Sequence, residues 1–314
     1  MATYTAHTAI GQREDLTDVI YDISPTETPF MSSIGKTKAT AVYHEWQTDT
    51  LAAATTNNAA VEGADASDAT LSPTVRLGNY TQILQKTIKV SGTLDTVNKA
   101  GRKSEKAYQL AKASQEIKRD LETILLSNQG RSAGDGSNAR KMGSLLSWIK
   151  TNSSAQTNGG DPTTIGVSTR TDGNTRTFTE ALLKEVVAEV FVSGGSPKVL
   201  MVGATGKQKV SSFTGIAETR FNVTGAAPST IIGAADIYVS DFGNMSVVPN
   251  RFMRTREALI LDPEYAAIAY LRPFQTNELA KAGDADKTQI LVECTLEVKN
   301  EAAHGIVADL NMSL

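Results

Sequence analysis

A single cysteine, Cys294, stands in a chain of 314 residues, and one thiol excludes an internal disulfide framework. Set within QILVECTLEV, it reads as a small buried core residue rather than a reactive thiol. Basic excess is missing too. The net charge is −3, which argues against a protein that grips phosphate backbones and leaves only weak contact with nucleic acid. No run of eighteen apolar residues occurs, and the start, MATYTAHTAIGQRED, has no basic stretch followed by an apolar one. Neither a membrane-spanning helix nor a secretory leader is expected, and a soluble compartment is. Histidine is scarce: His7, His44 and His304 fall far apart, without the paired spacing of a metal site. Apolar residues at 40% and charged ones at 21% predict a modest core and ample surface, part of which becomes interface.

What is present is most telling between Val42 and Val90. AVYHEWQTDTL (41–51) and PTVRLGNYTQILQKTIKVSG (73–92) are rich in β-branched and aromatic residues, which suit a pleated strand. Between them lies AAATTNNAAVEGADASDATLS, with no aromatic, Lys or Arg. Strands of about ten residues would carry this tip about 33 Å outward. An isolated ribbon is marginal in water and its free edges template association, so a neighbouring subunit is expected to cover it. The chain reads as a building block rather than a catalyst.

Residues 1–39 read as an arm: Leu16, Val19, Ile20 and Ile23 keep helical spacing, and Pro25 and Pro29 interrupt it. The clearest helix is predicted over 104–128, with Ala107, Leu110, Ser114, Ile117, Leu121 and Ile124 inward. Lys106, Lys112, Lys118, Arg119 and Glu122 are expected to face solvent. From 140 to 256 the texture is α/β. A short helix in MGSLLSWIKT precedes a long polar, mobile loop, and Thr177 with Glu180 predicts a capping box. The helix it opens would bury Phe178, Leu182, Leu183, Val186, Val187, Val190 and Phe191. PKVLMVG follows as a strand, ATGKQKVSSF as a helix, and ADIYVSDFGNMSVVPN as a hairpin turning near Gly243 and Asn244. Residues 257–314 return to β character. Their last run sets Ile290, Val292, Cys294, Leu296 and Val298 against a mostly polar face of Leu291, Glu293, Thr295 and Glu297.

No motif for catalysis survives inspection. GATGKQKV (203–210) has Met201 where a phosphate loop needs Gly and Gln208 where it needs Ser or Thr, so it reads as an ordinary strand-to-helix turn. Asp241-Phe242-Gly243 stands without a kinase's catalytic loop and is a turn. Sequons at Asn152, Asn222, Asn244 and Asn311 matter only in a secreted protein. Glu62, Asp65 and Asp68 lack the ligand density of a calcium loop and are expected to be solvated or to meet a neighbour's Arg and Lys. No catalytic residue, cofactor site or metal site is expected.

Several long segments, in order, resemble the major capsid proteins of a group of tailed bacteriophages: GQREDLTDVIYDISPTETPFMSSIGK (11–36), HEWQTDTLAA (44–53), VEGADA (61–66), RLGNYTQIL (76–84), SEKAYQLAKASQEIKRDLE (104–122), VVPNRFMR (247–254) and ELAKAGDADKTQILVECTLEVKNEAAHGI (278–306). The resemblance covers nearly the whole chain and is weakest in 150–230. It implies an α+β fold of the Hong Kong 97 type: N-terminal arm (1–39), extended β-hairpin loop (40–92), spine helix (104–128), peripheral domain (93–139 with 257–314) and axial domain (140–256). It also implies pentamers and hexamers of this chain closing into an icosahedral head around double-stranded DNA, assembled in the host bacterial cytoplasm. The short arm implies a separate scaffolding protein, with a portal and possible cement or decoration proteins as further partners. Trp46, Glu62, Asp65, Asp68, Arg76, Tyr80, Arg251 and Arg254 are the residues expected at contacts between subunits. The alternatives are an encapsulin-type nanocompartment, which shares the fold, and a soluble α/β enzyme built on 140–256.

Overall fold

The computed structural model describes residues 24, 26–63, 65, 68–97, 101, 103–213, 236–281 and 283–312. The amphipathic stretch from Leu16 to Ile23 lies outside the described residues. The chain enters through α1 (Pro29–Ser33), a single turn with proline at its first position, where the missing N–H costs nothing. Then come β1 (Gly35–Lys38), β2 (Tyr43–Thr48), β3 (Val75–Tyr80), β4 (Gln82–Ser91) and α2 (Gly92–Thr96). The long helix α3 (Glu105–Leu125) starts where the Ser104 hydroxyl accepts the Ala107 N–H, a side-chain cap. After it come α4 (Leu145–Trp148), β5 (Ser153–Ser154), β6 (Arg176–Thr177), α5 (Glu180–Val192), β7 (Val199–Val202) and α6 (Ala204–Ser211). The chain closes with β8 (Ile237–Ser240), β9 (Gly243–Pro249), β10 (Ala258–Leu261), β11 (Ala266–Leu279), β12 (Ala285–Val298), β13 (Gly305–Val307) and β14 (Leu310–Asn311).

Two sheets organise these elements. The first runs β1-β11-β12-β4 and the second β5-β13-β10-β7-β9-β8. The segment 257–314, expected to lie wholly with the first unit, therefore supplies β10 and β13 to the second sheet. One core joins α3, α4 and the first sheet through Ile117, Leu121, Leu125, Trp148, Val292 and Leu296. A second lies under α5, around Phe178, Leu183, Val187, Leu200 and Val307. Cys294 is fully buried, as its strand pattern predicts.

Five local expectations need correction. The return run 73–92 is two strands: β3 pairs with β2 over six positions, Tyr43↔Tyr80 to Thr48↔Val75, and β4 pairs with β12 instead. Helix α3 buries Ala113, Ile117, Leu121 and Leu125, a row at four-residue steps that drifts about 40° round the axis per step. Ala107 is exposed, Leu110, Ser114 and Ile124 are half-buried, and Glu122 is fully buried where α1 closes over the helix's last turns. No capping box forms at Thr177, which lies in β6; Thr179 is the N-cap of α5, without a side-chain bond. Phe191 is exposed at the end of α5 and stacks on Phe242, ring centroids 4.6 Å apart. The polar loop after α4 is anchored: buried Arg170 donates to Ile149 O, Ser153 Oγ and Asp161 Oδ1, and Asp309 accepts the Gln156 and Gly173 N–H groups.

Candidate assembly surfaces

The ribbon β2–β3 grows from the first sheet as a limb. Its root sits on one face of β12, while α3 packs on the other face through Ile290, Val292 and Cys294. The mostly polar face of β12 is thus buried from Leu291 to Glu297. Glu293 accepts from Thr81 Oγ1 (2.9 Å), Arg140 Nη2 (2.6 Å) and Arg272 Nε (2.7 Å). Glu297 Oε2 accepts from Thr37 Oγ1 (2.8 Å) and lies 3.2 Å from His44 Nε2. Buried carboxylates are tolerable only when paired in this way. Asn79, fully buried, donates through Nδ2 to Gly143 O (3.0 Å) and Leu296 O (2.8 Å) and accepts the Gly143 N–H at 2.8 Å. These bonds break the return run after Tyr80, because the Asn79 and Thr81 side chains turn inward to the sheet.

Aromatic contacts fix the limb's direction. Trp46 lies 5.3 Å from Trp148, and Tyr80 lies 4.6 Å from Tyr43, ring centroid to ring centroid. Arg131 donates to Gly78 O and lies over the Tyr43 ring at 5.4 Å. Gly78 is required by this packing, since a Cβ there would stand 2.8 Å from the Tyr43 ring.

Beyond the root the limb has no core. Among residues 49–74 every described one is exposed, with Leu51, Val61 and Leu71 at 99%, 79% and 88%. The tip carries Asp49, Glu62, Asp65 and Asp68 and no cation.

The residues expected at subunit contacts divide by environment. Glu62, Asp65 and Asp68 stand in the bare tip. Arg76 pairs with Glu45 on the same ribbon at 3.0 Å and remains exposed. Trp46 and Tyr80 are half-buried at the root. Arg251 is exposed on the connection after β9, with no ion pair among the described residues. Arg254 Nη2 donates to Asp172 Oδ2 at 2.5 Å, and its Nη1 forms an ion pair with Glu257 at 2.8 Å. Burial drives the Glu257 carboxyl up to about 7, with Arg254 opposing the shift.

Sequence reasoning missed the buried acids. Glu122 Oε1 accepts the Phe30 N–H at 2.7 Å and Asn250 Nδ2 at 2.7 Å, and Oε2 accepts the Met31 N–H at 2.9 Å. One carboxylate thereby ties the arm, α3 and the turn after β9 together, and burial raises its pKa above the usual range. Its one-step offset from Leu121 in the stripe gave no signal. For Glu293 and Glu297 the signal was present, as acids four apart in a long apolar strand. Among the described residues no cluster of His, Cys, Asp and Glu is arranged to hold a metal ion, and no helix is long and apolar enough to cross a membrane.

Residues 2–311 match the family model described as SU10 major capsid protein. The major capsid protein of Escherichia phage Phieco32 is 29% identical over 337 residues, covering 95% of this chain and 94% of that one. In structure, the chain is similar to the capsid of cyanophage A-1(L), with TM-score 0.67, 11% identity and 98% of each chain covered. It is also similar to the holo-SrpI encapsulin of Synechococcus elongatus PCC 7942, with TM-score 0.60, 11% identity, and 100% of this chain and 98% of that one covered. At such identities these structures speak for the fold alone, and that fold is the Hong Kong 97 type expected from the sequence.

Proposed function

The chain belongs to the SU10 major capsid protein family, and from that premise we propose how it builds the icosahedral head of a tailed phage. The limb carries the reading: a ribbon rigidly rooted on Glu293, Glu297 and Asn79 ends in a tip with nothing of its own chain to cover it. Copies form pentamers and hexamers, and each limb and arm adds buried area beyond the ring contacts. Many modest interfaces then sum to a wall that resists internal pressure.

In this scheme residues 1–39 are the arm, 40–92 the extended loop, and 93–139 with most of 257–314 the peripheral unit around α3. Residues 140–256, joined by β10 and β13, form the axial unit round fivefold and quasi-sixfold centres. Trp46 and Tyr80 set the limb's direction, while Glu62, Asp65, Asp68, Arg76, Arg251 and Arg254 meet neighbouring copies. A separate scaffolding protein, a portal and cement or decoration proteins complete the head, which assembles in the host cytoplasm. The net charge of −3 limits adhesion to packaged DNA and allows its release. The chain acts mechanically, with no catalytic step.

The likeness to an encapsulin sustains one rival, a protein-filled nanocompartment. Particles purified from infected cells distinguish the two by their contents. Shells of this chain filled with nuclease-protected duplex DNA are expected, and shells holding a protein cargo without DNA would contradict the reading.

A further inference from the structure

On the face of the first sheet that carries the limb, β4 and β12 are in antiparallel register from Gln82↔Cys294 to Ser91↔Ala285. Directly opposed residues share a face, so the Ile83↔Glu293 pair at the root continues through Gln85↔Leu291 and Thr87↔Gln289 to Lys89↔Lys287. Two lysines therefore face each other across the strands about 5 Å apart at Cβ, an arrangement that destabilises a sheet. Neither has an anionic partner among the described residues. Two nearby acids are engaged elsewhere, Asp286 with Lys281 at 2.7 Å and Glu278 with Lys106 at 2.8 Å.

The β4 side of the strip leading to this pair is open, while on β12 Leu291 is buried and Gln289 and Lys287 are half-buried. Ile83, Gln85, Thr87 and Lys89 are all exposed, along about 20 Å of strand at 3.3 Å per residue. The face is mixed in character, with apolar Leu279 (38% exposed) paired beside Lys287 and Ile83 (43% exposed) at the far end of the strip. The limb tip has the complementary composition: bare Leu51, Val61 and Leu71 beside Asp49, Glu62, Asp65 and Asp68.

We propose that the limb tip of one copy seats on this open strip of a neighbouring copy, its acids neutralising Lys89 and Lys287. The inference rests on the limb reading above and adds the receiving surface. It gives the unfavourable lysine pair a purpose. Repulsion within the lone subunit is relieved only when a neighbour's tip arrives, which favours assembly over a free strip.

Charge reversal and compensation test it. Lys89→Glu with Lys287→Glu should leave the soluble protein folded and lower the yield of closed shells about tenfold, the effect of about 1.4 kcal/mol. Glu62→Lys with Asp65→Lys and Asp68→Lys should do the same. Combining both sets in one chain should restore shells. Losses on each side without restoration would overturn this pairing while leaving the limb as an assembly element. Wild-type yields from either set alone would overturn it as well. The limb reading fails separately, if a chain lacking the tip still builds normal shells. As a direct check, Asp68→Cys with Lys89→Cys should give intermolecular disulfides on mild oxidation of assembled shells, because native Cys294 is fully buried. Only monomer on a non-reducing gel would contradict the contact.

Discussion

The Glu122 carboxylate accepts the backbone N–H of Phe30 at 2.7 Å, across a separation of 92 residues that joins the N-terminal arm to the last turns of α3. Phe30 itself is fully buried, so the arm is held by packing and by a buried acceptor together. Glu122→Ala leaves the Phe30 and Met31 N–H groups and the Asn250 amide without their acceptor. A loss of about 3 kcal/mol is expected, the cost of orphaned buried donors. Glu116→Ala, which removes a partly exposed partner of Lys86, should cost less than about 1 kcal/mol. Denaturant unfolding of the soluble protein measures both.

The two sides of α3 should respond in opposite ways to the same new charge. Ile117→Asp and Leu121→Asp place an unpaired carboxylate in the main core and should abolish soluble expression, at about 3–5 kcal/mol each. Lys112→Asp and Lys118→Asp lie on the exposed side and should change stability by less than about 0.5 kcal/mol. Equal tolerance at all four positions would show that the helix face is misassigned.

Glu257 gives stability a defined pH dependence. Its folded pKa is raised to about 7 from an ordinary 4.5. The folded state thus binds the extra proton, and this contribution is complete below about 4.5 and lost as pH rises toward 7. Glu257→Gln cannot lose a proton. Stability of the variant relative to wild type should therefore rise by about 3 kcal/mol between pH 4.5 and 7. Chemical denaturation at a series of pH values measures that difference, and a flat difference would contradict the assignment.

The shell should be fastened without covalent welds. The distal part of the extended loop, from Glu45 to Gln85, contains no lysine, and Lys86 and Lys89 lie towards its base, so the tip itself offers no amine for an isopeptide bond. Cys294 is fully buried with its thiol pushed up to about 12, which rules out ready disulfide exchange. Boiled mature particles should give one main band near 33.4 kDa. A ladder of covalent pentamers and hexamers would refute this.

Much of the architecture was legible because it rests on period and punctuation. The existence of α3, the β7 strand, the α6 turn and the β8–β9 hairpin follows from spacing, but the buried face of α3 differs from the predicted one and the hairpin turns at Asp241 and Phe242, with Gly243 and Asn244 already in β9. What was not legible depends on which surfaces meet. Alternation along β12 assigns Glu293 and Glu297 to one face, but only the limb's root folding back makes that face dry. The run 73–92 carries no turn residue at Thr81, so its division follows from side-chain bonds of Asn79 and Thr81 to distant strands. Phe191 fits an apolar stripe by spacing, yet it lies past the end of the second core, beside Phe242. The bare tip of the limb was legible from composition alone, since a segment without aromatics, Lys or Arg offers a core nothing to bury.

The central claim is that this tip is completed only by a neighbouring subunit, and deletion tests it most directly. Replacing residues 52–71 with a short Gly-containing turn leaves the β2–β3 ladder and its root intact. Electron microscopy of that variant, expressed with its phage's scaffolding protein, should show folded capsomers without stable closed shells. Normal particles of unchanged stability would contradict the account.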